Sequence, residues 1–559
     1  MSSTSSYGGQ PYNHSSISEK YSLSPSPAQW GTPFLMHEQE PDDSIHNPDQ
    51  ADPRSEKSRK FSMRGVQNMG CLTILVLGLL MLFAGYPIIA RLTRQRLTSQ
   101  GGFNLGGINA TGQIPELPGN HGLIDKDTPR DVYTKKSWQT DEELVLVFSD
   151  EFNEDGRTFY PGDDPFWEAV DLHYWGTNDL EWYDPSQATT SNGSLQITIE
   201  RVNPADNHNL TYKSGMVQSW NKFCFTGGLI ETSVRLPGSN SIGGFWPAVW
   251  TMGNLGRAGF GASAEGNWPY TYEECDVGTL PNQTYSDTMT PLAAVTNGDQ
   301  YNNDMLSYLP GQKLSACTCP GESHPGPVKS DGSYVGRASP EIDIIEATIH
   351  DGVGYVSLSG QWAPYNAEYA IFNTSGQVEF FDTSDKIHYN DYVGGVLQQT
   401  TSGLAQTNQN AYELNGGQFA VYGFEYKPGY DDAYITWIND NKKAWTIYAT
   451  AMIEDPRTEI SARPMSLEPM YIIANLGFST NFVANIEFEL LTFPAAMSVD
   501  WIRVYQPKNS IKIGCDPVDH PTAAYIETYK EAYTNPNHTT WAQFGQPWPK
   551  NSLSATGCN

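Results

Sequence analysis

An uncharged apolar run constrains the fold of this chain more than any other feature of its sequence. It extends from Met69 to Ala90, reads MGCLTILVLGLLMLFAGYPIIA, and contains 22 residues without a charged side chain. A helix of this length crosses the hydrocarbon core of a bilayer, which is about 30 Å thick. A cleaved signal peptide is the poorer interpretation, because 68 residues precede the run and a signal peptide has an apolar region of only about 7–15 residues. The run therefore predicts one membrane-spanning helix.

The charges around this run predict its orientation. Five basic residues precede it and three follow it, namely Arg54, Lys57, Arg59, Lys60 and Arg64 before the run and Arg91, Arg94 and Arg96 after it. This bias favours a cytosolic N-terminal segment. Six N-x-S/T sequons follow the run, at Asn109, Asn192, Asn209, Asn282, Asn373 and Asn537. We therefore expect a single-pass type II protein of the secretory-pathway membrane (endoplasmic reticulum, Golgi or plasma membrane), glycosylated on the lumenal or extracellular side.

The cysteines after the run are even in number, which in an oxidising compartment allows three disulfides. They are Cys224, Cys275, Cys317, Cys319, Cys515 and Cys558. We expect Cys515 to pair with Cys558, because no other cysteine follows the last predicted strand. Cys275 would then pair with Cys317 or Cys319, and Cys224 with the remaining one. Metal binding is the alternative for Cys317-Thr-Cys319, but no Cys or His stands nearby at a zinc-like spacing.

Composition divides the rest of the chain. Residues 1–68 are rich in Ser, Pro, Asn and Gln and predict a disordered tail. Residues 91–140 predict a stem, residues 141–506 one large domain, and residues 507–559 a disulfide-closed extension. The formal net charge of −30 argues against nucleic acid, which proteins hold largely through Lys and Arg. A neutral partner such as a sugar fits this charge better.

The large domain reads as an all-β structure. Short β-rich segments such as SLQITIERV, FAVYGFEY and AYITWIND alternate with Gly, Pro, Asn and Asp, and there is no long amphipathic helix. This pattern predicts a β-sandwich. One interval, about residues 253–340, is too long for an ordinary loop and is expected to be functional or held by disulfides.

Three carboxylates lie among isoleucines in ASPEIDIIEA, residues 338–347. On a helix, Glu341, Asp343 and Glu346 would share no face. On a strand, they share one face only if a β-bulge at Ile344 or Ile345 absorbs one residue. Two carboxyl groups brought to about 5–5.5 Å from one another are what a retaining glycosidase uses. The alternative is a solvated edge strand with its charges directed outward.

Four stretches in the large domain together resemble glycoside hydrolase family 16, whose members are jelly-roll enzymes that act on β-glucans. They are SDEFN (149–153), GGFWPAVWTM (243–252), EIDIIE (341–346) and VDWIRVYQ (499–506). Further stretches resemble the fungal β-glucan-synthesis-associated proteins, a branch associated with β-1,6-glucan of the cell wall. They are TNDLEWYDP (177–185), LPGQKLSACTCPGESHPGP (309–327) and the segment that begins at Cys515. The resemblance implies a concanavalin-like β-jelly-roll sandwich.

The resemblance also implies roles for particular residues. Glu341 matches the nucleophile, Glu346 the general acid/base, and Asp343 the auxiliary carboxylate. Four residues are candidates for sugar binding, namely Trp246, Trp250, Trp182 and Asn475, although core packing is the alternative for each tryptophan and backbone bonding for the asparagine. No catalytic cofactor is implied, and Asp500 is similar to a structural calcium ligand of some family members.

Two functions are compatible with these features. The first is a membrane-anchored retaining hydrolase or transglycosylase that acts on β-glucan in fungal wall synthesis. The second is a non-catalytic lumenal protein that uses the same groove to bind glucan or to organise wall synthesis. A groove that only binds gains nothing from three acids that repel one another, which favours the enzyme.

Overall fold

The computed structural model describes residues 63–86, 122–381 and 386–559. Residues 1–62 of the predicted cytosolic tail, residues 87–90 of the predicted membrane helix and residues 91–121 of the predicted stem, with the sequon at Asn109, lie outside the described residues. The chain divides into two compact units, Met1–Gln95 and Arg96–Asn559, which are described separately.

The first unit contains a single described helix, α1 (Met63–Leu80), which continues as a π-helical turn over Met81–Gly85. The stretch Gln67–Gly85, which includes the π-helical turn, has 19 residues and a mean hydropathy of 2.1. It is long and apolar enough to cross a membrane. Large apolar side chains from Leu72 to Phe83 are exposed. Exposed apolar side chains of this kind are suited to lipid rather than to water. The structure thus confirms a helix over the described part of the apolar run, residues 69–86.

The second unit consists mainly of strands. In chain order, those of the described residues are β1 Thr134–Lys136, β2 Glu143–Asp150, β3 Glu168–Ala169, β4 Glu181–Tyr183, β5 Ala188–Ser191, β6 Ser194–Arg201, β7 Tyr212–Ser214, β8 Met216–Gln218, β9 Gly228–Arg235, β10 Trp246–Gly253, β11 Glu341–His350, β12 Val353–Trp362, β13 Val378–Phe380, β14 Ile387–Tyr389, β15 Gly394–Gly395, β16 Gln398–Gln406, β17 Ala420–Lys427, β18 Tyr434–Asn439, β19 Lys442–Tyr448, β20 Met470–Gly477 and β21 Ala495–Pro507. Four short helices accompany them, α2 Gly261–Ala264, α3 Ala293–Thr296, α4 Ala523–Thr528 and α5 Lys530–Thr534.

These strands form two sheets. The first, called the back sheet, has the order β13-β19-β18-β17-β9-β21-β6-β7-β4, with β1, β2 and β5 beside this path. The second, called the cleft sheet, has the order β14-β16-β12-β11-β10-β20-β8-β3, with β15 beside it. Sheet neighbours are antiparallel except for β4 and β7. The two-layer arrangement confirms the predicted all-β jelly-roll sandwich.

The core between the sheets fixes the position of β11. Its isoleucines Ile342, Ile344 and Ile345 are buried, as their alternation with carboxylates predicts. From the back sheet, Trp437 and Trp445 stack with ring centroids 4.3 Å apart. The indole N–H of Trp437 donates across the core to the backbone oxygen of Asp343 at 2.8 Å. A buried tryptophan needs such a partner for its N–H, so this contact couples the two sheets at β11.

The interval 253–340 and the C-terminal extension pack against each other. They share a buried apolar cluster that includes Leu255, Leu314, Tyr533 and Trp541. The Arg257 guanidinium donates to the backbone oxygen of Tyr533 at 2.8 Å. The extension is therefore held on the domain rather than folded on itself.

The disulfides differ from the predicted pairing because the extension packs on the domain rather than on itself. Cys224 pairs with Cys515, Cys275 with Cys317, and Cys319 with Cys558. One of the two alternatives for Cys275 is confirmed, whereas the pairing of Cys515 with Cys558 and that of Cys224 with Cys319 are wrong. Cys515 lies in the segment that follows β21, and the N–H of the preceding Gly514 donates to the backbone oxygen of Cys224 at 2.8 Å. The end of the extension instead runs along the interval 253–340, where Cys558 meets Cys319.

The predicted glycosylation sites lie at the surface to different degrees. Asn192, Asn209, Asn373 and Asn537 are exposed, and Asn282 is half-buried. Glycosylation at these positions stays a prediction.

We expect non-reducing peptide mapping of the full chain, alkylated before lysis, to recover Cys224 linked to Cys515 and Cys319 linked to Cys558. Replacing both Cys319 and Cys558 by Ser should lower the free energy of unfolding by about 2–5 kcal/mol, because the bridge restricts the unfolded chain over 239 residues. A lower midpoint of thermal unfolding reports this loss. Cys71→Ser, which changes a cysteine outside the disulfides, is the control. Recovery of Cys515 linked to Cys558 would contradict the structure.

Candidate active site

The predicted bulge in β11 is present at Ile344. Against β10, Asp343 pairs with Trp250 and Ile345 with Val249, so Ile344 has no partner on that strand. The register against β12 shifts over the same residues. A bulge adds one unpaired residue to a strand, so the side chains beyond it point to the opposite face from the one a regular strand would give them. Glu341, Asp343 and Glu346 consequently all line one cavity.

This cavity has a volume of about 390 Å³. Of the predicted sugar-binding residues, Trp246, Trp250 and Asn475 line it, whereas Trp182 is absent from the described residues that do. Trp182 instead stacks on His208, with ring centroids 3.5 Å apart, and donates to Asp171 at 2.7 Å. The sequence could not distinguish these tryptophans, because the orientation of Trp182 depends on the loop that carries His208.

Two tryptophans predicted to bind sugar have different surroundings within the cavity. Trp246 is half-buried, stacks on Phe482 at 4.4 Å, and donates to Glu346 Oε1 at 3.1 Å. Trp250 is 9% exposed and donates to Asn475 Oδ1 at 2.8 Å. Trp246 thus touches a catalytic candidate directly, while Trp250 mainly packs and holds Asn475.

The interval 253–340 contributes a residue that no motif in the sequence singles out. The indole N–H of Trp268 donates to Glu341 Oε2 at 2.5 Å. A hydrogen bond to the charged form of a carboxyl group lowers its pKa. The interval therefore supplies a partner for the predicted nucleophile as well as part of the cavity wall, which also includes Thr539 and Thr540 of the extension.

Asp343 lies at the centre of the hydrogen-bond network of the carboxylates. Its Oδ2 accepts bonds from Ser359 at 2.7 Å and from Gln361 at 3.1 Å. Ser359 also lies within 3.3 Å of Glu346 Oε2. All of these partners come from β12, so the strand next to β11 orients Asp343 and links it to Glu346.

Burial raises the pKa of all three carboxyl groups. Burial and then the charge of Asp343 raise the pKa of Glu346 to about 8. Burial raises the pKa of Asp343 to about 6, although its bonds from Ser359 and Gln361 act in the opposite direction. The pKa of Glu341 lies well above its ordinary value because of burial and the charges of Asp343 and Glu346. The described residues lining the cavity include no Lys, Arg or His to offset this repulsion, so the cluster holds protons at neutral pH.

The predicted calcium ligand, Asp500, lies on β21 outside this cavity. Its Oδ2 accepts a hydrogen bond from Ser233 at 3.3 Å. Calcium takes six to eight oxygen ligands, and the described residues contain no group of three or more His, Cys, Asp or Glu placed to hold a metal ion. Backbone oxygens would have to supply most of the ligands at Asp500, and a calcium ion there stays a prediction.

Comparison with known proteins identifies relatives over most of the chain. Residues 32–558 match the family model described as beta-glucan synthesis-associated protein SKN1/KRE6/Sbg1. The chain is 40% identical to the beta-glucan synthesis-associated protein KRE6 of Saccharomyces cerevisiae over 537 residues, which are 93% of this chain and 69% of that protein. It is 40% identical to SKN1 of Candida albicans over 553 residues, 94% of this chain and 68% of that protein.

Solved structures similar to the chain include the catalytic domain of an endo-1,3-beta-glucanase (laminarinase) from Thermotoga petrophila. The two are 18% identical with a TM-score of 0.35, over 66% of this chain and 100% of that one.

The raised pKa of Glu346 makes a testable contribution to stability. The folded protein keeps this proton up to about pH 8, whereas the unfolded chain releases it near the ordinary value of 4.5. Between these values the folded state binds more protons, so the group makes the free energy of unfolding fall as pH rises. Glu346→Gln removes this dependence. The free energy of unfolding of the variant should equal that of wild type near pH 4 and exceed it by about 2 kcal/mol above pH 8. This difference is smaller than the full pKa shift implies, because Glu346 keeps some solvent contact.

Chemical denaturation across this pH range measures the difference. Glu489→Gln, which replaces an exposed glutamate on a loop, is the control and should change little at any pH. A variant that is no more stable than wild type at pH 8 would contradict the raised pKa.

Proposed function

The chain belongs to the family of β-glucan synthesis-associated proteins SKN1/KRE6/Sbg1, and from this premise we propose that it is a retaining enzyme acting on a β-glucan of the cell wall. The observation that carries the proposal is the bulge at Ile344, which brings Glu341, Asp343 and Glu346 to one cavity. Two cooperating carboxyl groups on one face are the machinery of a retaining glycosidase.

The proposed reaction has two steps. In the first, a carboxylate oxygen of Glu341 bonds to the anomeric carbon while the glycosidic bond breaks and Glu346 gives its proton to the leaving oxygen. In the second, Glu346 takes a proton from an incoming hydroxyl, which displaces Glu341 from the anomeric carbon. Water as the acceptor gives hydrolysis, and a glucan hydroxyl gives transglycosylation.

The electrostatics of the cluster support the role of Glu346 as the acid. A pKa of about 8 keeps Glu346 protonated at neutral pH, as a general acid requires. Burial and the charges of Asp343 and Glu346 also raise the pKa of Glu341 well above its ordinary value, so Glu341 must lose its proton before it attacks. The bond from Trp268 then stabilises the Glu341 carboxylate.

The setting of the reaction is proposed to be the secretory-pathway membrane. The apolar helix, the three disulfides and the exposed sequons support a type II protein whose second unit is lumenal or extracellular. Endoglycosidase should increase its electrophoretic mobility. Digestion of the second unit by protease added to sealed microsomes would contradict this orientation.

Glutamine substitutions test the catalytic roles. Glu346→Gln should lower kcat about 10²–10⁴-fold, the usual contribution of general acid–base catalysis. Glu341→Gln should lower kcat at least as much, because it removes the group that forms the intermediate. Asp343→Asn should lose less than either. The purified full chain is incubated with defined β-1,3- and β-1,6-linked gluco-oligosaccharides, and the products are followed by mass spectrometry.

Complementation of a cell-wall glucan defect by the same variants provides the second measurement, with protein level checked in parallel and Glu489→Gln as the control. Full rescue by a normally expressed Glu341→Gln/Glu346→Gln double variant would contradict the enzyme. It would leave a glucan-binding or scaffold role for the cavity.

A further inference from the structure

A second pair of acids lies in the cavity wall apart from the catalytic strand. Asp179 is buried and lines the cavity, and Glu181 on β4 is completely buried behind it. Glu181 Oε2 accepts the backbone N–H of Phe478 at 3.2 Å, but its Oε1 accepts no hydrogen bond from an N–H or hydroxyl donor among the described residues. An unpartnered oxygen at this depth is costly unless the carboxyl group is protonated and donates. The pair therefore requires a proton between its two members.

The proton of this pair resides on Glu181. Burial and then the charge of Asp179 raise the pKa of Glu181 well above its ordinary value. The pKa of Asp179 rises only to about 6, because bonds from Thr177, Glu181 and Tyr183 oppose the effect of burial. At neutral pH, Asp179 thus carries the negative charge and faces the cavity as an acceptor.

A chain of hydrogen bonds fixes the direction of donation towards Asp179. An indole N–H can only donate, so Trp250 donates to the Asn475 oxygen at 2.8 Å. The Asn475 amide N–H then donates to the Tyr183 hydroxyl at 3.2 Å, and Tyr183 donates to Asp179 Oδ2 at 3.2 Å. Thr177 donates to Asp179 Oδ1 at 2.6 Å. An ionised carboxyl group has about four acceptor positions, so Asp179 keeps capacity for a ligand.

An exposed aromatic ring stands at the same end of the cavity. Trp175 lines the cavity with 44% of its surface exposed, and no aromatic ring among the described residues pairs with it. Gly261 packs closely against this ring, since a Cβ added at Gly261 would lie 2.7 Å from it. An anchored ring with a free face is a platform on which the C–H face of a sugar can stack.

This end of the cavity is distinct from the reacting bond. Asn475 is on β20, which β10 separates from β11, so two strand spacings of about 4.8 Å lie between Asn475 and the catalytic strand. Asp179 lies beyond Asn475 in the hydrogen-bond chain. The sugar residue at Asp179 is thus a different residue from the one that reacts at Glu341.

We propose that Trp175 and Asp179 form a subsite that binds a remote glucosyl residue of the substrate chain, Trp175 by stacking and Asp179 by accepting hydrogen bonds from neighbouring hydroxyls. That the ligand of this subsite is a glucan rests on the proposed function. It makes binding depend on chain length, because only an oligosaccharide long enough to span from Glu341 to Trp175 occupies it.

Calorimetric titration of the full chain in detergent micelles tests the subsite. The parent protein carries Glu341→Gln to prevent turnover, and the ligands are β-1,3- and β-1,6-linked gluco-oligosaccharides of increasing length. Trp175→Ala and Asp179→Asn, added singly, should each weaken binding of the long oligosaccharides about tenfold and leave the shortest unaffected. Trp182→Ala and Asp171→Asn are matched controls in the same segment but outside the cavity, and should bind like the parent.

Three results would overturn the subsite. These are no binding of any length by the parent, equal affinities of parent and variants at every length, and a loss that is the same for short and long ligands. The wild-type chain is assayed for cleavage in parallel. Length-dependent loss of binding without cleavage by the wild type would support the subsite and contradict only the enzymatic function.

Discussion

The bulge at Ile344 is the constraint on which the rest of the site depends. Three acids on one face of a strand repel one another, and a regular strand would have turned Glu346 towards the core. The bulge keeps Glu346 out of the core and places it beside the other two acids, but it disturbs the hydrogen-bond ladder between β10 and β11. Trp437 donates from the back sheet to the Asp343 backbone oxygen at this position. The packing of the two sheets thus stabilises the irregular backbone that the acids require.

The walls of the cavity come from parts of the chain that are distant in sequence. The interval 253–340 contributes Trp268, which bonds the predicted nucleophile, and the extension contributes Thr539 and Thr540. The disulfide between Cys319 and Cys558 joins these two parts directly. Together with the cleft sheet, these parts line a cavity of about 390 Å³ with acids, tryptophans and threonines around it. The extension is part of the site rather than an appendage.

Local features were predictable from the sequence, and features set by long-range packing were not. The bulge in EIDIIE was predicted from side-chain alternation, because only one extra residue, at Ile344 or Ile345, places all three acids on one face, and the structure has it at Ile344. The partner of Cys515 was not, because Cys224 stands 291 residues away and only the folded sheets bring the two together. Trp182 was predicted to bind sugar, yet its ring stacks on His208. Trp268 and Asp179 were missed because no spacing in the sequence relates them to Glu341.

The central claim is that Glu341 forms a covalent bond to the sugar. The most direct measurement is to incubate the full chain with a fluorosugar glucosyl donor whose release from the enzyme is slow, and to map the modified peptide by mass spectrometry. If Glu341 is the nucleophile, a single glucosyl adduct forms on Glu341 and is absent from the Glu341→Gln variant. An unmodified protein that still binds β-glucan, or an adduct on Glu346 or Asp343, would contradict it.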